Sequence, residues 1–289
     1  MNEKAPTTEK VKSVDGIDIN HPDIRDVLTR AKVALLEKDY KIMVEIAKEN
    51  LRIKAEMHRL QDEIDIDHLT KSMTRAGMER GILKTLDKNR NKHLESGNKY
   101  RYACVAIDLD KFKSINTAFA HEGGDLALKT FAKILRRSLR GDSQMELEKH
   151  QDVMDGRQGG DEFRALIPID LGIGSDEAEI NRITNLAIDK VRFRLESALK
   201  AIKFLVRDDH VMVEKLEGEL KDGELALGAS FSHVCYEFDE GVDNNENLER
   251  IMQAFERADK ELEPIKKKKR EEEAEELARL QKAAGSINI

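Results

Sequence analysis

Two short stretches of this 289-residue chain hold residue types that could do chemistry. The first is Arg157-Gln158-Gly159-Gly160-Asp161-Glu162-Phe163, with Val153 and Met154 before it and Ala165, Leu166 and Ile167 after it. Adjacent glycines between two strand-like runs predict a tight hairpin turn, and two carboxylates leave that turn directly. The second is Asp108-Leu109-Asp110-Lys111-Phe112-Lys113, which follows a strand-like run over 102–107. If the two strand ends lie side by side, up to four carboxylates converge, and the glycines leave room for a ligand to approach the backbone. That set suits Mg²⁺ bound together with a triphosphate, because Mg²⁺ takes few protein carboxylates and shares the phosphates of its substrate.

The elements that must position these residues can be read from periodicity. Residues 1–20 are polar and read as a disordered N-terminus. A helical arm is expected over 21–64: Leu28, Leu35 and Ile42 lie seven apart, and Ile46, Leu51, Ile53, Met57, Leu60 and Ile64 continue a less regular apolar stripe. The arm is either one helix or a helical hairpin broken near Lys38-Asp39-Tyr40, and either a packed element or a dimerising one. Asp67 or Thr70 would cap a helix over about 74–95, and Gly97-Asn98 reads as a turn. Helices follow at about 111–119 and 124–140, then a hairpin over about 152–168 that Pro168 helps to end. A long helix is expected over 176–203, an extra hairpin within 204–224 and a strand over 225–238. The last helix starts near Asn247 and is interrupted at Pro264, before a charged tail over 271–289. This order predicts an α+β domain, an antiparallel sheet flanked by helices.

Composition removes other classes. Charged residues make up 37% and aromatic residues 4%, Trp is absent, and the net charge of −7 gives no pull toward nucleic acid. No apolar run approaches the ~20 residues of a membrane span. The N-terminus has no apolar signal segment, so a cytoplasmic protein is expected. Cys104 and Cys235 sit in apolar runs and read as buried free thiols.

With both stretches in hand, the chain resembles the GGDEF family of diguanylate cyclases. The pentapeptide itself stands at 159–163, preceded by Arg157. The opening D-x-L-T…R motif is similar at Asp67, Leu69, Thr70 and Arg75, and DLDKFKSINTAFAHEGGDLAL resembles D-x-D-x-F-K-x-x-N-D-x-x-G-H-x-x-G-D-x-x-L. The late S-x-G strand is echoed at 229–232, and the closing A-D-x-A-L-Y-x-A-K-x-x-G-R runs from Ala258-Asp259 to Lys266 and Arg270. The resemblance implies a palm-like fold, a catalytic domain over 65–270, and condensation of two GTP into cyclic di-GMP by a homodimer with Mg²⁺ (or Mn²⁺).

It also implies roles. Asp108, the Leu109 carbonyl and Asp161 would hold the metal, with Glu162 in support. Asp161 and Glu162 would be catalytic, Asp161 helping to activate the attacking hydroxyl. Gly159 and Gly160 would admit the nucleotide, and Phe112, Lys113, Lys266 and Arg270 would contact its phosphates. Asn116 and Asp125 would read guanine, since a carboxylate accepts from the ring N–H and exocyclic amine that adenine does not offer there.

The chain departs from the pattern at Thr117 (usually Asp), Ala120 (usually Gly), Gln158 (usually aromatic) and 263–265 (usually Tyr-x-Ala). The inhibitory product motif R-x-x-D is absent, with only Lys149 and Asp152 as weak candidates, so little product inhibition is expected. The alternative to an active cyclase is a weak or inactive GGDEF-like module that senses GTP or cyclic di-GMP or acts as a scaffold.

Overall fold

The computed structural model describes residues 37–140, 153–174 and 176–285, together with Asp26, Thr29 and Arg30. The chain divides into two compact units, Met1–Glu63 and Ile64–Ile289. Helix α1 (Glu37–Asp65) includes Lys38, Asp39 and Tyr40 in its first turn, and residues 31–36, which bear on a break near that point, lie outside the described residues. The expectations for residues 1–20 lie outside the described residues.

The second unit is built on strand β1 (Lys99–Asp110), which pairs antiparallel with β3 (Glu162–Gly172) on one side and β6 (Gly228–Glu237) on the other. Strand β2 (Met154–Gly159) joins the far side of β3, giving the order β2-β3-β1-β6. The expected antiparallel sheet with flanking helices is what forms. Residues 102–109 of β1 are all buried because both faces are covered. Ala103, Val105 and Ile107 pack toward α3 (Phe112–Arg140) and α4 (Glu177–Lys200), with Phe131, Leu135, Ile188 and Leu195 in the same core. Tyr100, Tyr102 and Cys104 face α2 (Arg75–Ser96) and α5 (Asn244–Gly285), against Met78, Ile82, Ile251 and Phe255. Each such buried side chain contributes about 1.5–3 kcal/mol. The second face changes character along its length: Tyr102, Cys104 and Ala106 are apolar, and the next two positions of the alternation are Asp108 and Asp110.

Local chemistry sets the ends. The cap of α2 is Thr74, whose hydroxyl accepts from Gly77 N–H, rather than Asp67 or Thr70; Asp67 is occupied within its own turn. Gly97 ends α2 at φ 72°, as the Gly-Asn turn predicts. The loop 66–73 lies along the outer edge of β2, with Met73 bonding Asp155 and Arg157 through the backbone, so this edge is covered. Among the described residues the hairpin pairing ends at Met154–Leu166, just before Pro168, while β3 itself runs on to Gly172 against β1. The β2 partner stops at Leu166, so the side of Pro168 that lacks an N–H can face the unpaired edge.

The extra hairpin is present as β4 (Ile202–Arg207) and β5 (His210–Lys215), with Asp208 and Asp209 both at positive φ in the loop between them. Helix α5 continues through Pro264 instead of breaking there. The ring removes one helical hydrogen bond, but the following turn is docked on the sheet by Lys266 and Lys269, described below. Both cysteines are free, but only Cys104 is buried as expected and Cys235 is half-buried; burial pushes the Cys104 thiol well up, so it is not reactive.

One residue inside α3 is not helical. Ala120 has φ 53° and ψ −162°, which joins the helical segments 112–119 and 121–140. This region of backbone space is open almost only to glycine and costs another residue about 1–3 kcal/mol. Ala120→Gly is therefore expected to stabilise the protein by about 1 kcal/mol, after the extra freedom of glycine in the unfolded chain is set against the relieved strain. A thermal melt should show a rise of about 2–4 °C; an unchanged or lower midpoint would refute strain at this position.

Candidate active site

The hairpin turn and the end of β1 meet. The antiparallel register sets Glu162 opposite Asp108, and Leu109 N–H donates to the Asp161 carbonyl at 3.3 Å. Phe163 anchors the turn from below: it is fully buried, with its ring centroid 4.9 Å from that of Phe131. Gly160 adopts φ 51°, and a Cβ on either Gly159 or Gly160 would meet nothing within 4 Å. The turn thus presents bare backbone to open space.

A cleft of about 420 Å³ opens in front of these residues. It brings together Asp108, Leu109, Phe112, Lys113, Asp161, Lys266 and Arg270 of the sequence-derived set. Lys266 reaches over from α5, its Nζ 2.9 Å from Asp108 Oδ2. Glu162 does not line the cleft and is exposed at the start of β3.

Asn116 and Asp125 lie further along α3. The Asn116 side chain rests on Gly124, where an added Cβ would overlap its amide oxygen and come within 2.9 Å of Cγ. Gly124 thus places Asn116 beside the position of Asp125. Thr117 has its hydroxyl on the Lys113 carbonyl at 2.8 Å, so this departure from the pattern is absorbed within the helix. Lys149 and Asp152 fall outside the described residues.

Burial pushes the Asp108 carboxyl above its usual value, Lys266 opposes this, and the nearby Asp161 and Asp110 carboxylates add to the rise. Burial alone would lower the Lys266 ammonium, but its bond to Asp108 outweighs that and holds it above its ordinary value. Among the described residues no three His, Cys, Asp or Glu side chains form a metal cage by themselves. Two carboxylates and one carbonyl fit a cation that completes its shell with water and substrate phosphates, as Mg²⁺ does.

Two further supports, Arg157 and Arg136, had no role assigned from the sequence. Arg157 grips the turn, donating from Nε and Nη2 to the Gly160 carbonyl at 3.0 and 2.8 Å, while its Nη1 lies 3.3 Å from Asp67 Oδ1. Behind it, Arg136 of α3 joins Asp155 and Ser72, each at 3.2 Å, to the Thr70 carbonyl at 2.9 Å. The arginines were visible as residues, but their partners lie up to 90 positions away.

Burial tends to raise the Asp67 carboxyl, but the Thr70 hydroxyl and N–H and the Arg157 guanidinium outweigh it and hold it below the usual value near 3.8. The folded-state value is depressed, so the stabilisation is present above the unfolded value and is lost as pH falls through the folded one. Asp67→Asn is expected to be less stable than the parent at pH 7, and the gap should close below pH 3.8. Denaturant titrations across that range provide the check; a constant gap would show that the charge is not what holds the turn.

The sheet thus sets strand-end carboxylates and lysines around one cleft, in a palm-like fold. A family model described as "Diguanylate cyclase, GGDEF domain" matches residues 64–197.

Relatives include "Probable diguanylate cyclase DgcE" of Escherichia coli, 34% identical over 102 residues, which are 35% of this chain and 8% of the relative. "Diguanylate cyclase TpbB" of Pseudomonas aeruginosa is 29% identical over 151 residues, covering 52% of this chain and 31% of the relative. The chain thus spans less than a third of the length of either. Among solved structures, a sensory box/GGDEF family protein from Caulobacter crescentus matches with TM-score 0.41 and 22% identity, covering 68% of this chain and 99% of that one. The GGDEF domain of DgcB from Caulobacter crescentus, solved with c-di-GMP, matches with TM-score 0.41 and 17% identity over 70% and 90%. Among the described residues no helix is long and apolar enough to cross a membrane.

Proposed function

We propose that this chain is a diguanylate cyclase, condensing two GTP into cyclic di-GMP and two pyrophosphates as a dimer with Mg²⁺. The observation that carries the reading is the gathering of Asp108 and Asp161 with Lys113, Lys266 and Arg270 around one cleft. In each half-reaction the 3′-hydroxyl oxygen of one nucleotide bonds to the α-phosphorus of the other. The bond from that phosphorus to the β-phosphate breaks, pyrophosphate leaves, and the hydroxyl proton passes to the Asp161 carboxylate. Lys113, Lys266 and Arg270 neutralise the departing phosphates. Asp108, the Leu109 carbonyl and Asp161 would hold Mg²⁺, which when bound stabilises negative charge on the phosphoryl oxygens. Asn116 and Asp125 select guanine. Incubating the purified chain with GTP and Mg²⁺ tests the reading: cyclic di-GMP and pyrophosphate are expected in a 1:2 ratio. No cyclic dinucleotide at high protein concentration would leave instead a GTP- or cyclic di-GMP-binding module without turnover.

Each cleft supplies half of the reaction, so a second copy is required. Helix α1 offers the means. Met43, Ile46, Asn50, Ile53, Met57 and Leu60 alternate at intervals of three and four, and the five apolar members are each 36–61% exposed. This is a coiled-coil seam with one polar residue, Asn50, at a position that fixes register, and Glu49 and Lys54 stand where seam-flanking charges pair between parallel helices. Ile53→Asp is expected to shift the chain to monomer in sedimentation and to make activity rise with protein concentration. Unchanged mass and activity would remove the arm from the mechanism.

A further inference from the structure

Lys269 stands where the family pattern K-x-x-G-R has glycine, and it is not a bystander. With Lys266 and Arg270 it occupies positions i, i+3 and i+4 of α5, one face of the helix, and all three line the cleft. Its Nζ donates to Asp110 Oδ2 and lies 3.4 Å from the Ala229 carbonyl. The other oxygen of Asp110 accepts from the Ser230 hydroxyl at 2.7 Å. Gly228 makes room for this carboxylate, since a Cβ there would lie 2.8 Å from Asp110 Oδ2. Two strands therefore fix one ammonium at the cleft mouth, with its side chain 41% exposed.

Lys266 and Lys269 differ in one respect. The partner of Lys266 is Asp108, a proposed metal ligand, so a bound cation would compete for that carboxylate. The partner of Lys269 is Asp110, already engaged by Ser230, so Lys269 keeps its place and offers its charge before substrate arrives. Direction matters as well. Asp161 comes from the β3 side of β1, and the Ser230 hydroxyl and Ala229 carbonyl that hold the Asp110–Lys269 pair come from β6 on the other side. A phosphate chain with its α-phosphate beside Asp161 and running across Asp108 toward β6 would approach Lys269, which lines the same cleft.

Resting on the function proposed above, we propose that Lys269 contacts the terminal phosphate and makes the cleft select a guanosine triphosphate over its di- and monophosphate. The test uses the full chain with Mg²⁺ and 3′-deoxyguanosine tri-, di- and monophosphates, which bind without forming the phosphodiester. Lys269→Met is expected to weaken the triphosphate about tenfold, the scale of one charge-assisted hydrogen bond, and to leave the monophosphate unchanged. Lys269→Arg should restore triphosphate binding to within about twofold, because it keeps the charge. An equal loss for all three nucleotides, accompanied by a lower melting temperature, would make Lys269 a clamp for α5 and overturn the proposal. Unchanged triphosphate binding would also overturn it, while leaving the cyclase reading intact. Failure of the parent chain to bind any of the three would overturn both.

Discussion

Replacing Asp161 with Asn is expected to lower cyclic di-GMP formation about 10³-fold, within the range for loss of a general base or a key charge at a phosphoryl centre. Folding should be nearly unaffected. The side chain is only half-buried at a turn, and the replacement has the same shape. The backbone bond from Leu109 N–H to the carbonyl of residue 161 survives the change. Stability is therefore expected to change by no more than about 0.5 kcal/mol. Product chromatography beside a thermal melt separates the two effects. A variant that keeps more than a tenth of parental activity would move the proton-accepting role to another group, with Glu162 the nearest alternative by register.

The second large effect concerns support of the site. Asp155→Ala is expected to destabilise the protein by about 3–5 kcal/mol, the cost of leaving one member of a buried ion pair alone. Asp155 is 8% exposed on β2. Arg136 would remain between Ser72 and the Thr70 carbonyl without its carboxylate. Because this group also holds the loop 66–73 against the edge of β2, the hairpin should loosen with it. Burial pushes the Asp155 carboxyl above its ordinary value, against the pull of Ser72 and Arg136. A raised folded-state value means that the native protein takes up this proton more readily than the unfolded chain, so Asp155 does not drive acid unfolding. Asp155→Asn, which keeps an acceptor for Arg136, should cost less than half as much in denaturant titration. Equal costs for the two variants would show that packing, not pairing, sets the contribution.

The amino-acid sequence by itself determined the class of the domain, because its signals are local. Two glycines before two carboxylates specify a turn, and the apolar run of β1 specifies a strand covered on both faces. Asp108, Lys113, Asn116 and Asp125 carry a family spacing within one strand-helix segment. Sequence misjudged elements whose outcome depends on distant partners. Pro264 reads as a helix break, but docking of the next turn on Asp108 and Asp110 keeps α5 continuous. Ala120 stands where the family pattern has glycine, but the strain itself arises from the two helical segments that impose its backbone angles.

The tertiary structure alone decided which charges meet. The run 265–270 offers four lysines and an arginine on a helix, and only the face turned toward the sheet selects Lys266, Lys269 and Arg270 for the cleft. Arg157 and Asp67 are 90 residues apart and Lys269 and Asp110 are 159 apart. Electrostatic pairing acts over a few ångströms of space and is indifferent to separation along the chain, so these contacts exist only once the sheet has brought its strand ends together.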